Sequence, residues 1–101
     1  MTAMTMPTDS DTARLAETFR LLGDPTRLRI LFYCLDAPRS VGDIAESLHL
    51  SQSLVSHHLR LLRSARLVRG DRRARQIFYA LSDAHVSGML MDMAHHVRED
   101  G

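Results

Sequence analysis

The sequence contains no tryptophan, no lysine, a single cysteine (Cys34) and only five aromatic residues (Phe19, Phe32, Tyr33, Phe78 and Tyr79) in 101 residues. One cysteine excludes an internal disulfide framework and a cysteine-rich metal cluster. No apolar run approaches the roughly 20 residues that span a bilayer, and nothing near the N-terminus reads as a basic stretch followed by an apolar one, as in a secretory signal. The expectation is a soluble, cytoplasmic protein with no membrane partner. A chain of this length has room for one compact domain, which excludes a multi-domain enzyme. A domain this small buries only about two thirds of its unfolded surface, so a partner subunit is expected to add stability.

The basic residues are all arginine, thirteen of them, against twelve acidic residues. Seven of the thirteen fall between Ser51 and Arg75 and are opposed there only by Asp71, which leaves that stretch at +6 while the whole chain carries +1. Segregated positive charge in a small domain is the electrostatic footprint of a nucleic-acid surface.

Residues 1–11 are rich in Thr, Met and Asp without apolar periodicity and read as a mobile arm; residues 12–101 read as one domain. Ala13, Leu15, Ala16, Phe19 and Leu22 recur at helical spacing. Gly23 then stops that helix, Asp24 caps the next and Pro25 opens it. The second helix carries Leu28, Ile30, Leu31 and Leu35 and breaks at Asp36-Ala37-Pro38. Ser40, with Asp43 three residues on, is a capping-box-like start for a third helix whose inward positions are Val41, Ile44, Ala45 and Leu48. A short turn through His49 and Leu50 leads to a fourth helix, capped by Ser51, with Leu54, Val55, Leu59, Leu61 and Leu62 as its apolar positions. This is helix-turn-helix spacing over about 41–65.

Two short strands follow over about 67–81, one at Val68 and one at Ile77-Phe78-Tyr79, joined by a loop expected to hold Arg72, Arg73 and Arg75. Ser82 is expected to cap a last helix over about 83–98. The fold class is therefore mostly α with a small β-hairpin: a winged helix-turn-helix, paired with a second copy through its terminal helices.

In such a fold the second helix of the motif enters the major groove of double-stranded DNA. Gln52, Ser53, Ser56 and His57 on its first turns then meet base edges. Arg60 and Arg63 further along, and Arg72, Arg73 and Arg75 on the wing, suit phosphates or the minor groove. The bland alternative is that the arginines only solvate one face. His49 and His58 are given no role.

The last helix carries a second constellation. Its apolar stripe, Val86, Leu90, Met93 and Val97, is a dimer seam. Beside it lie Asp83 and His85 at the helix start, and His96 and Glu99 three residues apart near its end. Two imidazoles and two carboxylates suit a borderline cation such as zinc. The eleven residues from His85 to His96 span about 16 Å of helix, so one helix cannot close the site. Two copies packed antiparallel would set Asp83 and His85 of one chain beside His96 and Glu99 of the other, giving two equivalent sites. The same four residues also fit solvated helix ends, and the spacing alone leaves both readings open. His95 points about 100° away from His96 and is not assigned as a ligand.

The runs Leu22-Gly23-Asp24-Pro25-Thr26-Arg27-Leu28 and Leu50-Ser51-Gln52-Ser53-Leu54-Val55-Ser56-His57-His58-Leu59, with Asp83-Ala84-His85, resemble ArsR/SmtB-family metal-responsive repressors over roughly residues 15–99. The pattern Asp-x-His, ten residues, His-x-x-Glu is similar to the zinc-sensing branch of that family. The resemblance implies a homodimer that binds an inverted-repeat operator when metal-free and is released by zinc, with cobalt(II) as a surrogate, at Asp83, His85, His96 and Glu99. Genes of metal export or resistance would then be derepressed. It further implies that a ligand histidine links to backbone near Arg66. The Cys-rich motif of relatives that sense thiophilic ions is replaced here by Ser40-Val41-Gly42-Asp43. Two alternatives stand beside it: a repressor of the same fold answering to another inducer or to oxidation of Cys34, and a small zinc hydrolase. No organic substrate is expected.

Overall fold

The computed structural model describes residues 5–99. Element order is α1 (Asp9–Leu22), α2 (Pro25–Tyr33), β1 (Arg39–Ser40), α3 (Val41–Leu48), α4 (Gln52–Ser64), β2 (Val68–Arg73), β3 (Gln76–Leu81) and α5 (Ala84–Glu99). The three strands form one antiparallel sheet in the order β1-β3-β2. Helix-turn-helix, hairpin wing and terminal helix follow one another as the sequence pattern predicts.

Local chemistry accounts for most boundaries. Asp24 Oδ2 accepts from Arg27 N at 2.9 Å, Ser40 Oγ from Asp43 N at 3.1 Å and Ser51 Oγ from Leu54 N at 3.1 Å. Each satisfies one of the N–H groups that a helix start leaves unpaired. His49 ends α3 in the left-handed region, with φ of 58°, which turns the chain sharply into α4.

Four boundaries differ from the sequence reading. α1 begins at Asp9, because Thr8 and Asp11 close a reciprocal capping box over residues expected to belong to the arm; of that arm, Met1–Met4 lie outside the described residues. α2 ends at Tyr33, before Leu35. Arg72 and Arg73 belong to β2, paired with Ile77 and Gln76, so the hairpin turn is only Ala74 and Arg75. Asp83, not Ser82, caps α5: its Oδ1 accepts from Val86 N at 3.1 Å, while the Ser82 hydroxyl donates to Arg66 O at 2.6 Å. The two-residue β1, pairing Arg39 with Tyr79 and Ser40 with Phe78, had no signal in the sequence.

The core is drawn from the middle of the chain. Ile30, Leu31 and Cys34 of the α2 region, Ile44 of α3, and Val55, Leu59 and Leu62 of α4 are its most completely buried side chains. Leu67, Val68 and Leu81 close it under the wing, and α1 and α5 add only Leu21, Leu22 and Leu90. Val86 and Met89 pack partly against it. The expected α5 seam therefore divides, since Leu90 is only 3% exposed within its own protomer, whereas Met93 and Val97 are exposed at 52% and 66%.

Gly70 lies opposite Tyr79 in the wing, where a Cβ would come within 2.9 Å of Ile77 Cγ2 and 3.2 Å of Tyr79 Cε1. The β-branched Ile77 has little rotamer freedom with which to yield. Gly70→Ala is expected to cost about 1–3 kcal/mol in urea unfolding through this overpacking; unchanged stability would show that the hairpin is not closely packed there.

Candidate nucleic-acid interface and metal-ligand pairs

The inner face of α4, formed by Val55, Leu59 and Leu62, is buried and fixes the helix's rotation. Its other face is turned outward: Gln52, Ser53, His57, Arg60 and Arg63 are exposed and Ser56 is half-buried. All four predicted base readers and both helix arginines thus share the solvent side of one rigid helix. The wing's Arg72, Arg73 and Arg75 are exposed as well, and the Arg73 guanidinium lies 5.2 Å from the centre of the Phe78 ring, a cation–π contact that steadies it on the strand.

The partners of the arginines separate two populations. Of the five arginines before Ser51, four are engaged: Arg20 pairs with Glu17, Arg39 pairs with Asp36 at 3.2 Å, and Arg27 and Arg29 donate to the carbonyls of Leu21 and Leu48, while the Arg14 side chain reaches no acid or acceptor among the described residues. From Ser51 to Arg75, among the described residues, none of the seven arginines is in a salt bridge, and only Arg69 reaches a protein acceptor, Ser82 O at 3.5 Å. Four of the first group are tied to the protein itself. The second leaves its charge without an acid partner, where a polyanion would neutralise it.

On α5, Asp83 Oδ1 and His85 Nδ1 stand 3.8 Å apart, both residues exposed. His96 and Glu99 occupy the last turns of the same helix and are also exposed. Among the described residues of one protomer, no group of three or more metal-binding side chains comes together. Within one protomer the four sequence-predicted ligands are therefore not brought together: Asp83 and His85 lie at the start of α5, and His96 and Glu99 near its end. Arg66 O, near which a ligand histidine was expected to bond, accepts the Ser82 hydroxyl, so the residue beside Asp83 is joined to the end of α4.

One residue reads differently in the structure. His58, given no role from sequence, is only 8% exposed and faces Arg27, with Nη1···Nδ1 at 3.3 Å. Its position three residues after Val55 and four before Leu62 was the available signal, since that spacing places it on the buried face. Burial lowers its pKa below the ordinary histidine value, with Arg27 and His57 acting in the same direction and Asp24 opposing. Cys34 is 1% exposed, and burial pushes its thiol up to about 12.

Residues 24–69 match the arsR family of bacterial regulatory proteins. The chain is 44% identical over 91 residues to the HTH-type transcriptional regulator NmtR of Mycobacterium tuberculosis, covering 89% of this chain and 76% of that protein. The chain belongs to the arsR family. A transcriptional repressor SmtB homolog of Synechocystis sp. is 41% identical over 86 residues, covering 85% of this chain and 65% of the relative. Among solved structures, that of apo-NmtR in solution matches with a TM-score of 0.78 and 40% identity, over 98% of this chain and 84% of that one. This family member is a winged helix-turn-helix transcriptional regulator and not an enzyme, which removes the hydrolase alternative. Among its described residues no helix is long and apolar enough to cross a membrane.

Two outcomes follow from these contacts. Arg75→Ala is expected to weaken binding to unrelated duplexes by a similar factor and to lower the salt-dependence slope by about 1; loss on one sequence alone would make Arg75 a base reader. In the native protein Cys34 is expected to resist a thiol reagent at neutral pH until urea unfolds the chain, because a buried thiol yields little thiolate. Prompt labelling would reopen the oxidation alternative.

Proposed function

We propose that the chain is a homodimeric repressor that holds an inverted-repeat operator when metal-free and leaves it when zinc, or cobalt(II) as surrogate, is bound at two equivalent intersubunit sites. Each site takes Asp83 and His85 from one protomer and His96 and Glu99 from the partner subunit. Genes of metal export or resistance are thereby released. The observation that carries the DNA part is the contrast between the arginines before Ser51, four of five of which are engaged with the protein, and the seven from Ser51 to Arg75, none of which is in a salt bridge among the described residues.

The dimer is supported by what the single chain leaves uncovered. From Asp9 to Glu17 every residue of α1 is exposed, including Leu15 at 45%, and Phe19 is exposed at 59%. A 14-residue helix held only by its last turn is marginal in water without a partner. Met91, Met93 and Val97 of α5 are bare as well. Two copies covering α1 and the second half of α5 would remove this apolar surface from water at about 25 cal/mol per Å².

Two imidazoles and two carboxylates form a four-donor N/O set that fits tetrahedral zinc. Bound zinc would supply a cross-link between protomers. Asp83 uses Oδ1 to cap α5, which leaves Oδ2 for a ligand role. Its neighbour Ser82 bonds Arg66 O at 2.6 Å and, through its own N–H, Leu67 O at 3.1 Å. A shift at the start of α5 is thereby felt at the end of the recognition helix. Both recognition helices must meet successive major grooves, so a small change in their separation weakens both half-sites together. Linkage then requires DNA to weaken zinc binding by the same factor, about 5–150-fold for a typical allosteric coupling.

The test uses fluorescence anisotropy on the chain's own upstream promoter duplex, with zinc titrated. Zinc is expected to release the wild type and to leave His96→Ala bound; binding unaffected by zinc in the wild type would end the metal reading and keep the fold. The intersubunit pairing has its own test in mixed dimers of a D83A/H85A chain with an H96A/E99A chain. Each doubly substituted homodimer should hold no zinc, whereas the mixed dimer regains one complete site. Failure of the mixed dimer to bind zinc would show that the four residues do not pair across subunits.

A further inference from the structure

The Arg27 guanidinium joins three helices. Its Nε donates to Leu21 O at the end of α1, at 2.8 Å, and its Nη1 lies 3.3 Å from Nδ1 of His58 on α4. Its own backbone N–H is held by the Asp24 carboxylate at the start of α2. An arginine has only donors, so His58 Nδ1 is the acceptor and the ring proton sits on Nε2. The other side-chain contacts of α4 with the core are apolar, made chiefly by Val55, Leu59 and Leu62, and hydrophobic burial is non-directional. The His58–Arg27 bond is the directional contact on that buried face, one residue from His57 on the outer face.

We infer that His58 is a positioning residue for DNA binding: as the neutral acceptor of Arg27 it fixes how α4 presents Gln52, Ser53, Ser56 and His57, and its protonation disengages them. This rests on the DNA-binding reading above. A proton on Nδ1 converts the acceptor into a donor and sets an imidazolium against a guanidinium, so the bond is lost and replaced by repulsion. The charged and titratable groups that face His58 are Arg27 and Asp24 at the start of α2 and His57 on its own helix, whose ring centre is 5.5 Å away. Asp24 offsets part of the repulsion, but its carboxylate is already engaged with Arg27 N.

The sign is fixed by linkage. His58 binds its proton less readily in the folded protein than in an unfolded chain, so stability is present above the ordinary histidine range near pH 6.5 and falls as the pH drops through it, levelling off below the folded value. DNA binding adds a second demand, because a helix seated in the groove has to keep the orientation that the neutral ring secures. Binding therefore competes with the proton, and affinity falls on acidification.

The experiment measures anisotropy of the dimer on its promoter duplex in EDTA, from about pH 7.5 to about pH 5.5, with circular dichroism at every pH. The wild type is expected to lose about tenfold in affinity for each pKa unit that DNA binding costs His58, while the helical signal is unchanged. His58→Gln keeps a neutral acceptor for Arg27, and is expected to bind at neutral pH within about threefold of wild type and to lose the acid step. His58→Leu leaves the guanidinium unmatched and is expected to bind about tenfold more weakly at neutral pH. A Gln variant that falls in parallel with wild type, a Leu variant that binds normally, or an acid loss that coincides with unfolding would each overturn the assignment. Absence of DNA binding at neutral pH would instead defeat the repressor reading. Nitrogen shifts of the His58 ring then decide the tether alone: an Nε2-protonated tautomer persisting below about pH 6.5 upholds it, and an Nδ1-protonated or freely titrating ring ends it.

Discussion

Burial of one face of α4 is the constraint on which the rest of the molecule depends. Val55, Leu59 and Leu62 are each no more than 1% exposed, and burying a side chain of this kind is worth about 1.5–3 kcal/mol. Turning the helix to present a different face would forfeit several such contributions at once. The outer face, with Gln52, Ser53, His57, Arg60 and Arg63 exposed, is consequently settled by the inner one. Their side chains are available for a ligand because the apolar contacts supply the stability. Since arginine alone furnishes the basic charge, every cation on this surface is a planar, five-donor fork, suited to bridging phosphate oxygens or the edge of guanine.

The same constraint explains the weakness of the two ends. With the core drawn from α2, α3, α4 and the base of the wing, α1 retains only Leu21 and Leu22 in it, and α5 only Leu90 as a fully buried residue. What the terminal helices keep outside is apolar: Leu15, Phe19, Met91, Met93 and Val97. A small domain that exposes this much apolar surface on its two longest helices is half of a larger hydrophobic unit. On the proposed function, dimerisation and groove binding are two results of one distribution of side chains.

Features fixed within a few residues of sequence were legible. The caps at Asp24, Ser40 and Ser51, the proline at the start of α2 and the apolar spacing of α3 and α4 gave the helix-turn-helix nearly to the residue. Features decided by tertiary pairing were not. Gly70-Asp71-Arg72-Arg73 has the composition of a loop, yet its backbone is drawn into a ladder by β3. Arg39 and Ser40 form a strand only because Tyr79 and Phe78 lie alongside. Ser82 and Asp83 are equally good caps in isolation, and the choice was made by the Arg66 carbonyl, which claims the serine hydroxyl. The α5 stripe looked continuous because periodicity records which residues share a face, not whether that face meets the protomer's own core or a second chain. Asp83 and His85 at one end of α5 and His96 and Glu99 at the other are kept apart in one protomer by helix length alone.

The recognition helix is tied at two places to the two helices that the single chain leaves half uncovered. In its middle, His58 reaches Arg27, which holds the last turn of α1 through Leu21 O. At its end, the turn at Arg66, with φ of 60°, is held by Ser82 at the threshold of α5. Neither link is apolar, and hydrogen bonds of this kind have a defined direction and length, so each transmits orientation where a hydrophobic contact would slide. A change in how the terminal helices pack against a second copy would therefore reach α4 as a rotation or translation rather than being absorbed in the core. On the proposed function, two recognition helices must match grooves one helical turn of DNA apart, about 34–36 Å, so the placement of α1 and α5 would govern binding without either needing to touch DNA.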